Sequence, residues 1–207
     1  MQHAITPRYF LNRKIVYHED FISVVEAQSL FLQLQADVPW QQERIRMMGK
    51  WVLQPRLTAW YGDADAHYTY AGLINQPLPW LPVLSSLRKR IENEFGRPFN
   101  SVLLNCYRDG RDYMGWHSDD ERSLGPDPVI ASLSLGAERR FSFRPKTNHL
   151  TKQKIDALQS DQTDLGLKSG SLLLMTEGVQ AFYKHALPKA LRVRDARINL
   201  TFRQIIG

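Results

Sequence analysis

The sequence predicts an α+β protein built on an antiparallel sandwich or barrel. Two helical stretches lie in the N-terminal half, short alternating runs fill the chain after Gly96, and no β-α-β rhythm separates them. With 207 residues, 43% of them hydrophobic, the chain can bury the core of a single domain spanning 1–207. That apolar content excludes disorder, and a lone cysteine, Cys106, excludes a disulfide scaffold. The best candidate for a bilayer span is interrupted by Asp20, Glu26 and Asp37. His3, Arg8, Arg13 and Lys14 are followed by no apolar segment of the signal-peptide kind, so an intracellular, reducing compartment is expected. A net charge of +6 leans towards a polyanionic partner.

The first helix is expected from Ser23 to about Ala36. Ser23-x-x-Glu26 reads as a capping box, and Val24, Ala27, Leu30, Phe31 and Leu34 recur at helical spacing. A second runs from about Leu81 to Phe95, with Pro82 in its first turn, Gly96 past its end, and a stripe of Val83, Leu84, Leu87 and Ile91. Strands are expected at 101–107, 129–135, 138–144, 169–176 and 197–205, with Gly136-Ala137 as a tight hairpin joining two of them. Residues 45–53 and 56–61 read as a strand pair around Gln54-Pro55, and the polar stretch from Pro145 to Gly166 as a plain loop, a lid or a strand contact.

Four places can carry chemistry. Arg197, Asn199, Thr201 and Arg203 alternate with Ile198, Leu200 and Phe202, so the polar four share one strand face. That face is either the solvated side of an edge strand or a pocket wall whose guanidinium groups suit carboxylates or phosphates. In His117-Ser118-Asp119 an imidazole and a carboxylate point the same way. A further histidine, such as His185 brought back by an antiparallel neighbour, would complete a two-histidine, one-carboxylate metal set; alternatively these are ordinary loop residues. Asn105 and Tyr107 face one side of their strand and Cys106 the other, where it reads as a small buried hydrophobe. Arg44, Arg46, Lys50 and Arg56, interleaved with or followed by Trp51, Trp60, Tyr61, Tyr68 and Tyr70, supply what base stacking and phosphate neutralisation need, or else part of a core. His3, His18, His67 and His149 read as surface or satisfied polar residues.

Taken together, the chain from about Met47 to Arg203 resembles the AlkB family of iron(II)- and 2-oxoglutarate-dependent dealkylating dioxygenases. The matching stretches are Gln54-Pro55-Arg56, Trp60-Tyr61-Gly62, Tyr68-Thr69-Tyr70, 105–110, 116–121, 131–136, His185 and 197–203. The resemblance implies a double-stranded β-helix (jelly-roll) core at 97–207, an N-terminal extension and helix at 1–43, and a nucleotide-recognition lid at 44–80. His117, Asp119 and His185 match the iron ligands. Arg203 matches the arginine that pairs with the distal carboxylate of 2-oxoglutarate, and Arg197, Asn199, Thr201, Asn105 and Tyr107 match its neighbours.

The implied reaction is oxidative demethylation of bases of the 1-methyladenine and 3-methylcytosine type, using iron(II), 2-oxoglutarate and dioxygen and releasing formaldehyde, carbon dioxide and succinate. Such bases are cationic and extruded cheaply. Asp120 and Glu121 are the acids that would favour the cation, with a solvated acidic turn as the other reading. Tyr70 and His117 match the residues that sandwich the flipped base, and Tyr68 and Thr69 flank them. Relatives that favour duplex DNA carry an aromatic finger where this chain has Met47-Met48-Gly49-Lys50. A methionine wedge stacks less well, which leaves single-stranded DNA or RNA open beside duplex DNA. A monomer in the cytoplasm, at the nucleoid, or in the nucleus, with no membrane partner, is expected. Two rival readings are an oxygenase acting on protein side chains or small molecules, and a non-catalytic module that binds damaged bases.

Overall fold

The computed structural model describes residues 7–12, 14–47, 49–66, 68–70, 73–146 and 163–206. In chain order the elements are β1 (Arg8–Phe10), β2 (Ile15–His18), α1 (Val24–Asp37), β3 (Arg44–Met47), β4 (Lys50–Leu53), β5 (Leu57–Gly62), β6 (Tyr68–Tyr70), β7 (Leu73–Asn75) and α2 (Pro82–Phe95). They continue with β8 (Ser101–Tyr107), β9 (Met114–His117), β10 (Ile130–Gly136), β11 (Arg139–Pro145), β12 (Thr163–Leu167), β13 (Leu172–Met175), α3 (Val179–Phe182), β14 (Tyr183–Leu187) and β15 (Arg197–Arg203).

Both long helices form where the caps direct them. Ser23 is extended, and its hydroxyl accepts the Glu26 N–H at 3.2 Å. Ala27, Leu30 and Leu34 are buried, whereas Val24, expected on that stripe, is exposed. α2 starts on Pro82 and stops at Gly96, whose φ of 64° ends the helix in the left-handed region.

Seven antiparallel strands form one sheet in the order β1-β2-β13-β10-β15-β8-β5, and four form a second in the order β12-β11-β14-β9. From β8 onward the chain alternates between them: large, small, large, small, small, large, small, large. This is the jelly roll that the resemblance implies. Helices α1 and α2 pack Leu30, Leu34, Leu84 and Ile91 against Val102, Leu104, Leu133, Ile198 and Leu200 on one face of the large sheet. The opposite face meets the small sheet through Ile15, Tyr17, Ile130 and Leu173 against Phe143, Leu165, Leu167 and Tyr183. The large sheet is therefore buried on both sides.

Several expectations are corrected here. Gly136-Ala137 is no hairpin: β10 and β11 lie in different sheets, and this turn carries the chain across. Gly136 has φ 83°, and a Cβ there would lie 2.5 Å from the Ala196 carbonyl oxygen and 2.7 Å from the Phe31 ring. Residues 45–53 and 56–61 do not pair with each other. β3 pairs with β4, while β5 joins the large sheet beside β8. β2, ahead of the helices in the chain, also supplies Ile15 and Tyr17 to the inter-sheet core. The stretch 145–166, open between plain loop, lid and strand contact, contains the beginning of β12, whose Leu165 and Leu167 are buried; its part 147–162 lies outside the described residues. His3, His67 and His149 lie outside them too.

His18 is also not a surface residue: it is 5% exposed and packs edge-on against Phe95 and Phe21, at 5.3 and 6.5 Å between ring centroids. Burial holds its pKa below the ordinary value, with Glu94 opposing. The unfolded chain then takes up the proton more readily than the folded one. Stability is therefore highest above the unfolded value of about 6.5 and falls as pH drops from there through the lower folded value. Thermal melting between about pH 7 and about pH 5 is expected to fall more steeply for the wild type than for His18→Phe. Parallel curves would show that His18 does not titrate on unfolding.

Candidate active site

β15 lies between β10 and β8, so its polar face is no solvated edge. Arg197 stands opposite Tyr107 and Asn199 opposite Asn105, all of them facing the small sheet. Asn199 donates from Nδ2 to Ser132 Oγ at 2.7 Å and to the Leu133 carbonyl at 3.1 Å, and Thr201 Oγ1 donates to Asn199 Oδ1 at 2.9 Å. Arg56 Nε donates to Asn105 Oδ1 at 2.8 Å. These bonds fix the wall, since buried polar groups keep one rotamer when every partner is present.

Arg197 differs from its neighbours. It is 2% exposed, and its Nη2 donates to Ser134 Oγ at 2.9 Å while Nε has no partner. Among the described residues no carboxylate pairs with it. Burial pulls its pKa down to about 10, partly opposed by Tyr107, whose ring centroid lies 5.5 Å away. Arg139, equally buried and likewise open at Nε, instead has both Nη atoms taken up by three backbone carbonyls, of Asp109, Asp112 and Pro188, at 2.8–3.1 Å. A buried guanidinium with an open donor and no counter-ion is a built-in anion site.

The other end of the wall gathers His117, Asp119 and His185. β9 pairs with β14 so that His117 is opposite His185, and the donor atoms of all three residues lie within 4.8 Å of one another. His117 Nδ1 faces the Gly115 carbonyl oxygen at 2.9 Å; a carbonyl only accepts, so Nδ1 carries a proton, which leaves Nε2 as the ring atom for a metal. Burial, and next the neighbouring His117, push the His185 pKa down to about 3, which leaves a neutral imidazole. Burial raises the Asp119 carboxyl, but Arg203 and the two histidines outweigh it and hold the group below the ordinary value. A neutral His185 imidazole and an ionised Asp119 carboxylate are the protonation states that a metal ion requires of them.

Arg203 Nη2 donates to Asp119 Oδ1. It therefore stands at the metal end of β15, with Arg197 six residues away at the other end of the strand. Two residues that the sequence reading did not single out shape the cluster. Buried Gln180, on α3, accepts the Asp119 N–H with Oε1 at 3.0 Å. Ser134 holds Arg197. Both are ordinary polar residues in apolar surroundings, and only the register reveals their targets.

The expected substrate residues are placed unevenly. Asp120 is exposed and meets Lys146 Nζ at 2.9 Å, and exposed Glu121 precedes the short 3-10 turn Arg122–Leu124. Gly49, with φ 79°, and Lys50 belong to the β3–β4 hairpin, while Tyr68, Thr69 and Tyr70 form β6 in a second hairpin. Met48 lies outside the described residues.

Fold and donor set define a jelly-roll metal scaffold with a facial two-histidine, one-carboxylate centre, the arrangement that leaves positions open on non-haem iron. Residues 14–203 match the model of the 2OG-Fe(II) oxygenase superfamily. The chain is 42% identical over 193 residues to the rat (Rattus norvegicus) alpha-ketoglutarate-dependent dioxygenase alkB homolog 3, covering 93% of this chain and 64% of that relative. It is 41% identical over 184 residues to the human (Homo sapiens) DNA oxidative demethylase ALKBH2, covering 87% of this chain and 69% of that relative. The chain thus spans just under two thirds of the length of the homolog 3 relative. The solved structure of OsALKBH1 superposes with a TM-score of 0.61 at 18% identity, over 94% of this chain and all of that one, and shares the fold. The chain belongs to the 2OG-Fe(II) oxygenase superfamily and, within it, to the AlkB family.

Gln180→Met removes the acceptor for the Asp119 N–H and keeps the volume. It is expected to weaken Mn(II) or Co(II) binding by about ten-fold or more, while Met175→Leu, which alters only the sulfur contact of Gln180 at 3.5 Å, leaves the affinity unchanged. Equal affinities in wild type and Gln180→Met would show that Asp119 is positioned without it.

Proposed function

We propose that this chain removes N-methyl groups oxidatively from nucleic-acid bases of the 1-methyladenine and 3-methylcytosine type, in DNA, releasing formaldehyde and coupling the reaction to decarboxylation of 2-oxoglutarate to succinate. The observation that carries the reading is one wall with a preformed metal donor set at one end and the uncompensated Arg197 guanidinium at the other. Both ends fit what the family uses. Iron(II) held there with 2-oxoglutarate and dioxygen supplies a one-carbon C–H oxidation.

The chain's own residues hold and orient. His117, Asp119 and His185 are the metal ligands, and Arg203 fixes the Asp119 carboxylate while facing the adjacent end of a dicarboxylate. Arg197 and Ser134 take the distal carboxylate, with Asn105, Tyr107, Asn199 and Thr201 lining the space between. Burial raises the Tyr107 pKa, with Arg197 opposing, so the phenol stays a neutral donor. Met48, Gly49, Lys50, Tyr68, Thr69 and Tyr70 belong to the substrate lid. Asp120 and Glu121 favour a cationic base; Lys146 already engages Asp120, which leaves Glu121 as the freer acid. No described helix is long and apolar enough to cross a membrane; the enzyme is proposed to work as a monomer in the cytoplasm or nucleus.

The direct test is an oligonucleotide with one 1-methyladenine, single-stranded and in duplex, followed by mass spectrometry. Methyl loss that requires both iron(II) and 2-oxoglutarate is expected; succinate formed without methyl loss would sink the substrate assignment. His117→Ala is expected to abolish turnover and keep oligonucleotide binding. Arg197→Ala should weaken 2-oxoglutarate binding by about ten-fold or more, the worth of a lost charge-assisted hydrogen bond. An unchanged affinity would place the distal carboxylate elsewhere.

A further inference from the structure

On β9 neighbouring side chains point to opposite faces of the small sheet, so while His117 turns inward to the metal cluster, Trp116 turns outward. On this outer face lies a cleft of about 290 Å³, lined by Tyr113, Met114, Trp116, Arg140, Ser142 and Pro188 among others. Its size is at the lower end of ligand pockets. Trp116 is 37% exposed, a large aromatic left open to solvent.

Two cations are held over the aromatic walls. Arg144 Cζ lies 4.3 Å from the Trp116 ring centroid, and Lys189 Nζ lies 4.9 Å from that of Tyr113. Neither forms an ion pair with a carboxylate among the described residues, and Lys184, beside Arg144 on β14, forms none either. The nearby acids are engaged: Asp164 faces Arg140 at 3.7 Å, and Asp109 is held by Arg111 at 2.8 Å. A carboxylate would both orient and neutralise a cation, whereas an aromatic face orients it and leaves its charge available. Un-neutralised cations beside the exposed Trp116 and the half-buried Tyr113 match a single strand, with phosphates on the cations and a base against the rings.

We propose that the outer face of the small sheet is a second contact for single-stranded nucleic acid. An unmodified nucleotide flanking the target places its base in the Tyr113–Trp116 cleft, with Arg144 and Lys189 on the adjoining phosphates. This rests on the nucleic-acid reading of the active site and adds a strand path that the metal cluster does not touch. Base contact there is tolerant of sequence, because every base offers a stacking face.

The test uses the full chain and a labelled, lesion-free thymidine oligonucleotide of about 16 nucleotides, with binding followed by anisotropy over a range of salt. The Arg144→Gln/Lys189→Gln double variant is expected to reduce the slope of log affinity against log salt by about 1.4, which is about 0.7 for each lost phosphate contact on a single strand. Tyr113→Ala is expected to weaken binding about ten-fold, and Tyr113→Phe to restore it. Unaltered thermal melting and Co(II) binding in each variant establish that the fold and the metal cluster persist. An unchanged slope in the double variant overturns the proposal, and so does an unchanged affinity in Tyr113→Ala. Demethylation of 1-methyladenine with unaltered slopes sinks this surface alone. Variant-sensitive binding by a protein that leaves 1-methyladenine intact sinks the demethylase reading and leaves the surface standing.

Discussion

A strand that is buried on both faces and carries arginine at each end is the constraint on which this structure depends. β15 runs through the middle of the large sheet, with Ile198, Leu200 and Phe202 under the helices and Arg197, Asn199, Thr201 and Arg203 towards the small sheet. Taking such charges out of water costs several kcal/mol each unless partners replace the solvent. Ser134, on the neighbouring β10, and Asp119, on the loop after β9, are placed accordingly.

The two arginines meet that cost differently, and the difference divides the site. Arg203 has a carboxylate, and through it shares the electrostatics of the histidine pair. Arg197 has a hydroxyl and an aromatic ring, which orient it and leave its charge uncompensated. One end of the wall is thus complete as a donor set, while the other is complete only with an anion. A dicarboxylate that also reaches a metal answers both needs at once, which is why the chemistry and the fold point to the same cosubstrate class.

Local signals made much of this legible in the sequence. The Ser23 cap, Pro82 and Gly96 set the helix limits to within a residue or two, and alternation over 101–107 and 197–203 showed which side chains share a face. Pairing was less legible, because alternation says nothing of the neighbour. Gly136-Ala137 has turn chemistry, yet whether such a turn closes a hairpin or crosses between sheets depends on the far-away Ala196 and Phe31. β12 carries a threonine, an aspartate and a glycine, which hide the two leucines that seat it. His18 and Gln180 look like surface residues in one dimension and are buried by elements distant in sequence. The order of motifs, rather than any one of them, showed that His185 would return to His117.

The pairing of His117 with His185 has a mechanical side. β9 is the outermost strand of the small sheet, held along one edge by β14 alone. Such strands are where a sheet frays and where foreign chains attach. A metal gripped by both histidines would be a rivet across that last seam, fastening an edge strand to its one neighbour. Slippage by one residue would turn His117 away from its partner and bring Trp116 inward. Loss of metal and loss of alignment at this border are therefore a single event.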